Sequence, residues 1–261
     1  MNSIIDSLIV FACVFGAALF GMFLRALLPE QHLSADSKDT VRLGMGMIAT
    51  MAALVLGLLV ASAKNFYDTQ GSELTQLSAN VILLDRVLAH YGLETKDARD
   101  LLRGAVARTL DLIWHRDLIV KTLPLASWRD SQMVPTAAGG SDILYDKIQA
   151  LSPTTDVQRT LKAQASSMAV DLGKLRWLMF EQGTTGISKP LLVVLVLWLA
   201  IVFTSFGLFA PSNATVVATL FLCALSVSGA IWLILEMYAP YEGLIQISSA
   251  PLREALAHLG Q

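Results

Sequence analysis

An all-α integral membrane protein is the fold class this sequence predicts, with four transmembrane helices in two hairpins flanking a helical cytosolic domain. Three observations predict it. Four apolar runs reach the roughly 20 residues that a bilayer crossing needs. Charge is sparse, 15% of the 261 residues against about 25% in a soluble domain, and it collects between the second and third runs. No segment alternates apolar and polar residues with the period of two that marks a half-buried strand.

The first run is Ile4–Leu24, and its one charge, Asp6, lies close enough to its start to sit at the membrane interface. The second (Leu43–Ala63), third (Leu191–Ala210) and fourth (Ala214–Leu235) carry none. A cleaved signal peptide does not fit the first run. The opening MNSIID holds an acid and no Lys or Arg, and no small-x-small cleavage site follows. The expected domains are a hairpin at 1–64, a helical cytosolic domain at 65–189, a second hairpin at 190–238 and a tail at 239–261. Four crossings put both termini and the middle domain on one side. That side carries Lys64, Lys174, Arg176, Lys189 and Arg253 near the membrane, and the other carries Arg25, Lys38 and Arg42. The positive-inside rule therefore favours a cytoplasmic middle domain.

Within that domain, Leu74, Leu77, Val81, Leu84 and Leu88 recur at spacings of three and four, which predicts an amphipathic helix continuing the second span. Gly71 is its weak point and Gly92 its stop. Thr95 is the expected N-cap of a helix that turns Leu101, Leu102, Ala105 and Leu110 inward. Leu123–Gly140, with two prolines and the run AAGG, reads as a loop. Ser141 can cap a short helix reaching Ala150, and Asp156 a longer one. In the tail, Pro240 and Gly243 end the fourth span. Ser249 and Pro251 start a short amphipathic helix, packed on the middle domain or laid flat on the membrane.

Catalytic chemistry finds little support. His32, His90, His115 and His258 have no metal-type spacing, and there is no phosphate-binding glycine loop and no Gly-x-Ser-x-Gly. Asp85 and His115 are candidates in isolation, with structural roles the stronger reading. Cys13 and Cys223 each fall inside a span and read as small apolar residues, not as a disulfide or zinc pair. The net charge of −2 leaves no basic field for nucleic acid. The expectation is a protein that is not an enzyme, with no cofactor, metal or nucleic-acid partner.

Two constellations stand out. Ala49, Ala53, Gly57 and Ala61 place a small residue at every fourth position of the second span. Such a stripe lets helix backbones approach closely in lipid, within one subunit or between subunits, and it equally leaves room for a pore. Glu236 lies at the end of the fourth span, where a carboxylate needs a partner or water. It reads either as half of an ion pair with Lys64 or Lys189, pinning the hairpins together, or as a rim charge at the mouth of a permeation path.

Three blocks, LVLGLLVASAKNFYDTQ (Leu54–Gln70), LLDRVLAHYG (Leu83–Gly92) and LILEMYAPYEGLIQISSAPLREAL (Leu233–Leu256), resemble the bestrophin-like family of bacterial membrane proteins. The resemblance implies kinship with bestrophins, pentameric anion channels with four spans per subunit and a helical cytosolic part. It thus implies a homo-oligomeric channel for small ions, anions foremost, in the bacterial inner membrane, with lipid, copies of itself and small ions as partners. The rival reading is a non-conducting scaffold or sensor with a helical interaction domain. The chain has no Ile-Pro-Phe-Thr-His-type aromatic neck and no acidic calcium clasp, so the resemblance carries neither chloride selectivity nor calcium gating.

Overall fold

The computed structural model describes residues 3–28, 35–114, 136–184, 189–211, 213–241 and 243–260, and these form helices joined by turns, with no strand among them. The helices are α1 (Ser3–Leu27), α2 (Ala35–Tyr91), α3 (Lys96–Trp114), α4 (Thr136–Gln149), α5 (Asp156–Thr184), α6 (Lys189–Phe209), α7 (Ala214–Met237) and α8 (Ala250–His258). Four of them, α1, α2, α6 and α7, are long and apolar enough to cross a membrane. The chain divides into two compact units: Met1–Tyr67 with Gly186–Ile245, and Asp68–Thr185 with Gln246–Gln261.

The first unit is the membrane unit. Its closest backbone packing joins α1 to α6, and next α1 to α7. The tight seam has a simple cause. Gly21 of α1 lies against the backbone of Thr204 and Leu208, and Gly207 of α6 lies against the backbone of Ala18 and Met22. A Cβ at either glycine would fall onto a carbonyl oxygen of the other helix. Small residues are what allow such approach where lipid, as apolar as leucine, gives no hydrophobic drive to associate. Around the seam Val10, Val14, Ala18, Leu195, Leu199 and Phe203 are buried, and α7 adds Leu220, Ala224, Ile231 and Ile234. Phe11, Phe15 and Phe221 form an aromatic trio with centroids 5.3–5.7 Å apart. At one end of the unit the Arg25 guanidinium donates to the Ala210 carbonyl, capping the end of α6 with a cation.

The second unit is built on leucines. Val81, Leu84 and Leu88 of α2, Leu102, Val106 and Leu110 of α3, Leu144 and Ile148 of α4, Ala165, Ala169 and Leu172 of α5, and Leu252 of α8 share one core. Burial of this kind follows the water-driven rule, about 25 cal/mol per Å² of apolar surface. The tail helix α8 thus packs in this core, the first of the two placements its sequence allowed.

Several local expectations change. Gly71 does not weaken α2, which runs 57 residues without a break and is about 85 Å long. Gly92 does end it, with φ of 138° that only glycine adopts without strain. Thr95 precedes α3, but its hydroxyl donates backwards to the Leu88 and Gly92 carbonyls at 2.6 and 2.8 Å, closing α2 and not capping α3. The cap of α5 falls one residue earlier than Asp156: Thr155 Oγ1 accepts from the Gln158 N–H at 3.1 Å. Thr136–Gly140, expected in the loop, forms the first turn of α4. Burial of Leu144 and Ile148 outweighs the roughly 1 kcal/mol that each glycine costs a helix. The rest of that loop, His115 before it and the stretch holding His32 lie outside the described residues. His90 is exposed and bonds the Arg86 carbonyl one turn back, and His258 is exposed on α8. Cys13 and Cys223 are exposed on the apolar surface of their spans.

Candidate functional site

The end of α7 is where the membrane unit concentrates its polar bonding. Ile231, Ile234 and Leu235 bury this last stretch of helix, and Glu236 is carried in with them to 1% exposure. The chain then doubles back. Gly243 takes φ of +89°, and a Cβ there would strike the Glu236 carboxylate. This glycine therefore supplies both a left-handed turn and the space beside the acid. The fold-back brings the Leu244 N–H to Glu236 Oε2 at 2.9 Å, while the Ser3 hydroxyl of α1 donates to Oε1 at 2.5 Å. Two residues on, the Tyr238 hydroxyl lies 3.0 Å from Ser62 Oγ of α2, and its ring stacks on Phe66 with centroids 5.2 Å apart. The start of α1, the apolar stretch of α2 at its far end and the end of α7 therefore meet at one end of this unit. One turn along α1 from Ser3, Asp6 keeps Oδ2 buried with no hydrogen-bond partner among the described residues.

This geometry changes the reading of Glu236. Among the described residues its polar partners are a hydroxyl and a backbone amide, not the Lys64 ammonium, one of the two partners that the ion-pair reading offered. The physical reason is the turn at Gly243, which delivers a fixed N–H to the carboxylate at short range. Lys64 is exposed on α2. The side chain of Lys189, the first residue of α6, lies outside the described residues. Glu236 is enclosed within the unit instead of standing on a wet rim.

Among the described residues, most of the small-residue stripe of α2 is left unpacked. Ala53, Gly57 and Ala61 are exposed and Ala49 is half-buried, and a Cβ added at Gly57 would meet nothing within 4 Å. The face of α2 that does pack carries Ala52, Leu59 and Ala63. The close backbone approach that the stripe advertised is made elsewhere, by Gly21 and Gly207.

Compared with known proteins, the sequence matches the family model for the bestrophin-like domain over residues 12–252. The chain belongs to the bestrophin-like family. No curated protein and no solved structure matched it. The membership covers both units of the bestrophin-like chain, and with the four apolar helices it makes this a membrane protein.

The second unit of this bestrophin-like protein holds its own buried charge. Asp85 of α2 is 3% exposed and takes a two-pronged bond from Arg99 of α3, Nε to Oδ1 at 2.7 Å and Nη2 to Oδ2 at 2.8 Å. Gly260, just past α8, adds its N–H to Oδ2 at 3.2 Å. Burial pushes the Asp85 carboxyl up, but the bonds from Arg99 and Gly260 outweigh it and hold the pKa below the usual carboxylate range. A planar guanidinium matched to both oxygens is a pinning contact among three helical segments. Asp85, a catalytic candidate in isolation, is fully engaged in this network. The blocks of sequence that carried the family resemblance now have places. Leu54–Gln70 meets the end of α7 in the membrane unit, and Leu83–Gly92 meets α3 and the tail in the other.

Proposed function

We propose that this bestrophin-like protein is a homo-oligomeric channel for small ions, with no catalytic activity and no cofactor. Its setting in this reading is the bacterial plasma membrane, with the leucine-cored unit and both termini in the cytoplasm. Five subunits is the number that kinship with bestrophins implies. The observation that carries the reading is the open face of α2. A permeation path needs a helix face with small side chains and free space beside it. Ala53, Gly57 and Ala61 form such a face, and the apolar stretch of α2 is the least buried of the four spans within the chain. A stripe whose Ala53, Gly57 and Ala61 stay exposed among the described residues is what either a pore or a subunit contact at the pore wall requires.

The test is ion flux from liposomes holding the purified protein, with Ala53→Leu and Gly57→Leu as variants. Flux in the wild type that falls in the variants supports the channel. A correctly assembled wild type that passes no ions overturns it in favour of the scaffold reading. That second reading has its own observation: a groove of about 930 Å³ between α4 and α5, lined by Tyr145, Val170, Trp177 and Leu178 among others, with Trp177 58% exposed.

A further inference from the structure

Within the membrane unit, the seam between α1 and α6 repeats itself. Gly21 lies against Thr204 and Leu208, and Gly207 against Ala18 and Met22. Each α6 residue follows an α1 mate by the same offset: Thr204 follows Ala18, Gly207 follows Gly21, and Leu208 follows Met22. Such reciprocity, residue for residue, is the mark of a two-fold contact. The surrounding sequences repeat too, as Phe20-Gly21-Met22-Phe23 and Phe206-Gly207-Leu208-Phe209. Past the seam Arg25 bonds the Ala210 carbonyl, so the two helices run parallel. On α1, one stripe at spacings of three and four joins the seam to a second contact. It runs Met22, Ala18, Phe15, Phe11, and its far half seats α7. Phe221 packs on Phe15 and Phe11 with centroids 5.4 and 5.3 Å away, and α7 brings its backbone closer to α1 than to α6, its neighbour in sequence. The matching stripe on α6 runs Leu208, Thr204, Ile201, Leu197, Val193. Its first half makes the seam, but its far half is bare: Ile201, Leu197 and Val193 are 36%, 57% and 66% exposed.

We infer that this bare half of α6 is a subunit contact that receives α2 of a second copy of the chain. The face is continuous with the α1–α6 seam, and the repeat names its occupant. On α1 the seated helix is α7, the second helix of the other hairpin; its counterpart on α6 is α2. Within one chain α2 leaves that face open. It packs through Ala52, Leu59 and Ala63, and Ala53, Gly57 and Ala61 remain exposed on another side. The shapes agree, since bulky side chains at every fourth position of α6 meet small ones at every fourth position of α2, a ridge set into a groove. The levels agree too. Glu236 bonds Ser3, the mate of Lys189 at the start of α6, and two residues on Tyr238 bonds Ser62 of α2. Val193 and Ala61 therefore lie toward the same end of the unit. Because the two faces differ, the contact is head-to-tail, the kind that repeats around a ring. It rests on the homo-oligomer proposed above and not on ion conduction.

Cross-linking in the membrane tests it, in a full chain carrying Cys13→Ala and Cys223→Ala. One copy bears Gly57→Cys and a second, with a different tag, bears Leu197→Cys. Co-expressed and oxidised, they should give a product of two chain masses holding both tags, because cysteines whose Cα atoms come within about 7 Å can bridge. This mixed product should exceed the self-product of either variant several-fold. A Gly57→Cys self-product in place of the mixed one overturns the inference by setting stripe on stripe. So does the absence of any product from a chain that native mass spectrometry reads as an oligomer, and in that case the oligomer itself stands. A monomer mass for the wild type overturns the proposed oligomer and the contact with it. Where either variant lowers the folded yield, Ala61→Cys with Val193→Cys is read by the same outcomes.

Discussion

The two units of this chain solve the same problem, holding helices together, with opposite means. In the membrane unit the closest contacts are backbone on backbone at Gly21 and Gly207, and the buried acid Glu236 is bonded to a hydroxyl and an amide. In the helical unit the contacts are leucine on leucine, and the buried acid Asp85 faces a guanidinium. The difference follows from the solvent. Water drives leucines together and lipid does not, so in lipid shape and proximity must act instead. A charge that is part of a folded aqueous core can recruit an arginine from the next helix. One at the end of a span is held by whatever donors the chain can fold back to it.

The largest expected effect breaks the membrane side of this contrast. Gly207→Leu drives a side chain into the Ala18 carbonyl of α1 and should cost about 3 kcal/mol or more, seen as lost melting in detergent or lost folded yield. Gly57→Leu sharpens the point. It meets open space within the chain, so the melting of the protomer should hold while native mass spectrometry reads a smaller oligomer. An unchanged mass would place the stripe against lipid.

Next in size is Asp85→Asn in the helical unit. Removing one partner of a buried pair strands the other, and the loss should be about 3 kcal/mol, measured by chemical denaturation followed at α3. The same residue sets a pH dependence. Because the folded pKa of Asp85 is depressed, its contribution is complete above the unfolded carboxylate value near about 4 and is lost as pH falls through the folded value. Wild-type stability of this unit should therefore decline in acid more steeply than that of Asp85→Asn. Parallel declines would show that Arg99 contributes no net charge attraction there.

The smallest effect is expected at Glu236→Gln. The amide oxygen can still accept from Leu244 or Ser3, so the change removes only the charge-assisted part of two bonds, about 1 kcal/mol. Glu236→Lys should be worse, since it places an ammonium against the Leu244 donor in an enclosed site. If both variants melt like the wild type, the fold-back at Gly243 is held by something other than the carboxylate.

Much of the architecture was legible because it is written in runs and periods. The four spans follow from length and apolarity. The leucine face of α2 follows from its three-and-four spacing, and Gly92 from its place after the last leucine. What stayed hidden involves partners distant in sequence. Asp85 and Arg99 sit 14 residues apart on different helices, and nothing local marks them as a pair. Gly21 and Gly207 are single small residues in separate spans, whereas the regular stripe at Ala49, Ala53, Gly57 and Ala61 attracted the packing expectation that they fulfil. Glu236 was visible as an anomaly, but its donors are a serine at position 3 and a main-chain N–H, neither of which has a sequence signature. Thr95 was legible as a cap and not as to which helix it serves, because a hydroxyl both donates and accepts.

The reciprocal glycines of α1 and α6 also reach down to the codon. Every missense change open to a glycine codon adds at least a Cβ, and at Gly21 and Gly207 the Cβ alone is already the collision. The genetic code therefore offers these two positions no mild neighbour: alanine and serine, the usual gentle exits from glycine, fail for the same reason as valine or arginine. At Gly57 the added Cβ meets open space within the protomer. A saturation library scored only for folded protein in the membrane should return two nearly blank rows and one well-filled row from three glycines that look alike in their apolar surroundings.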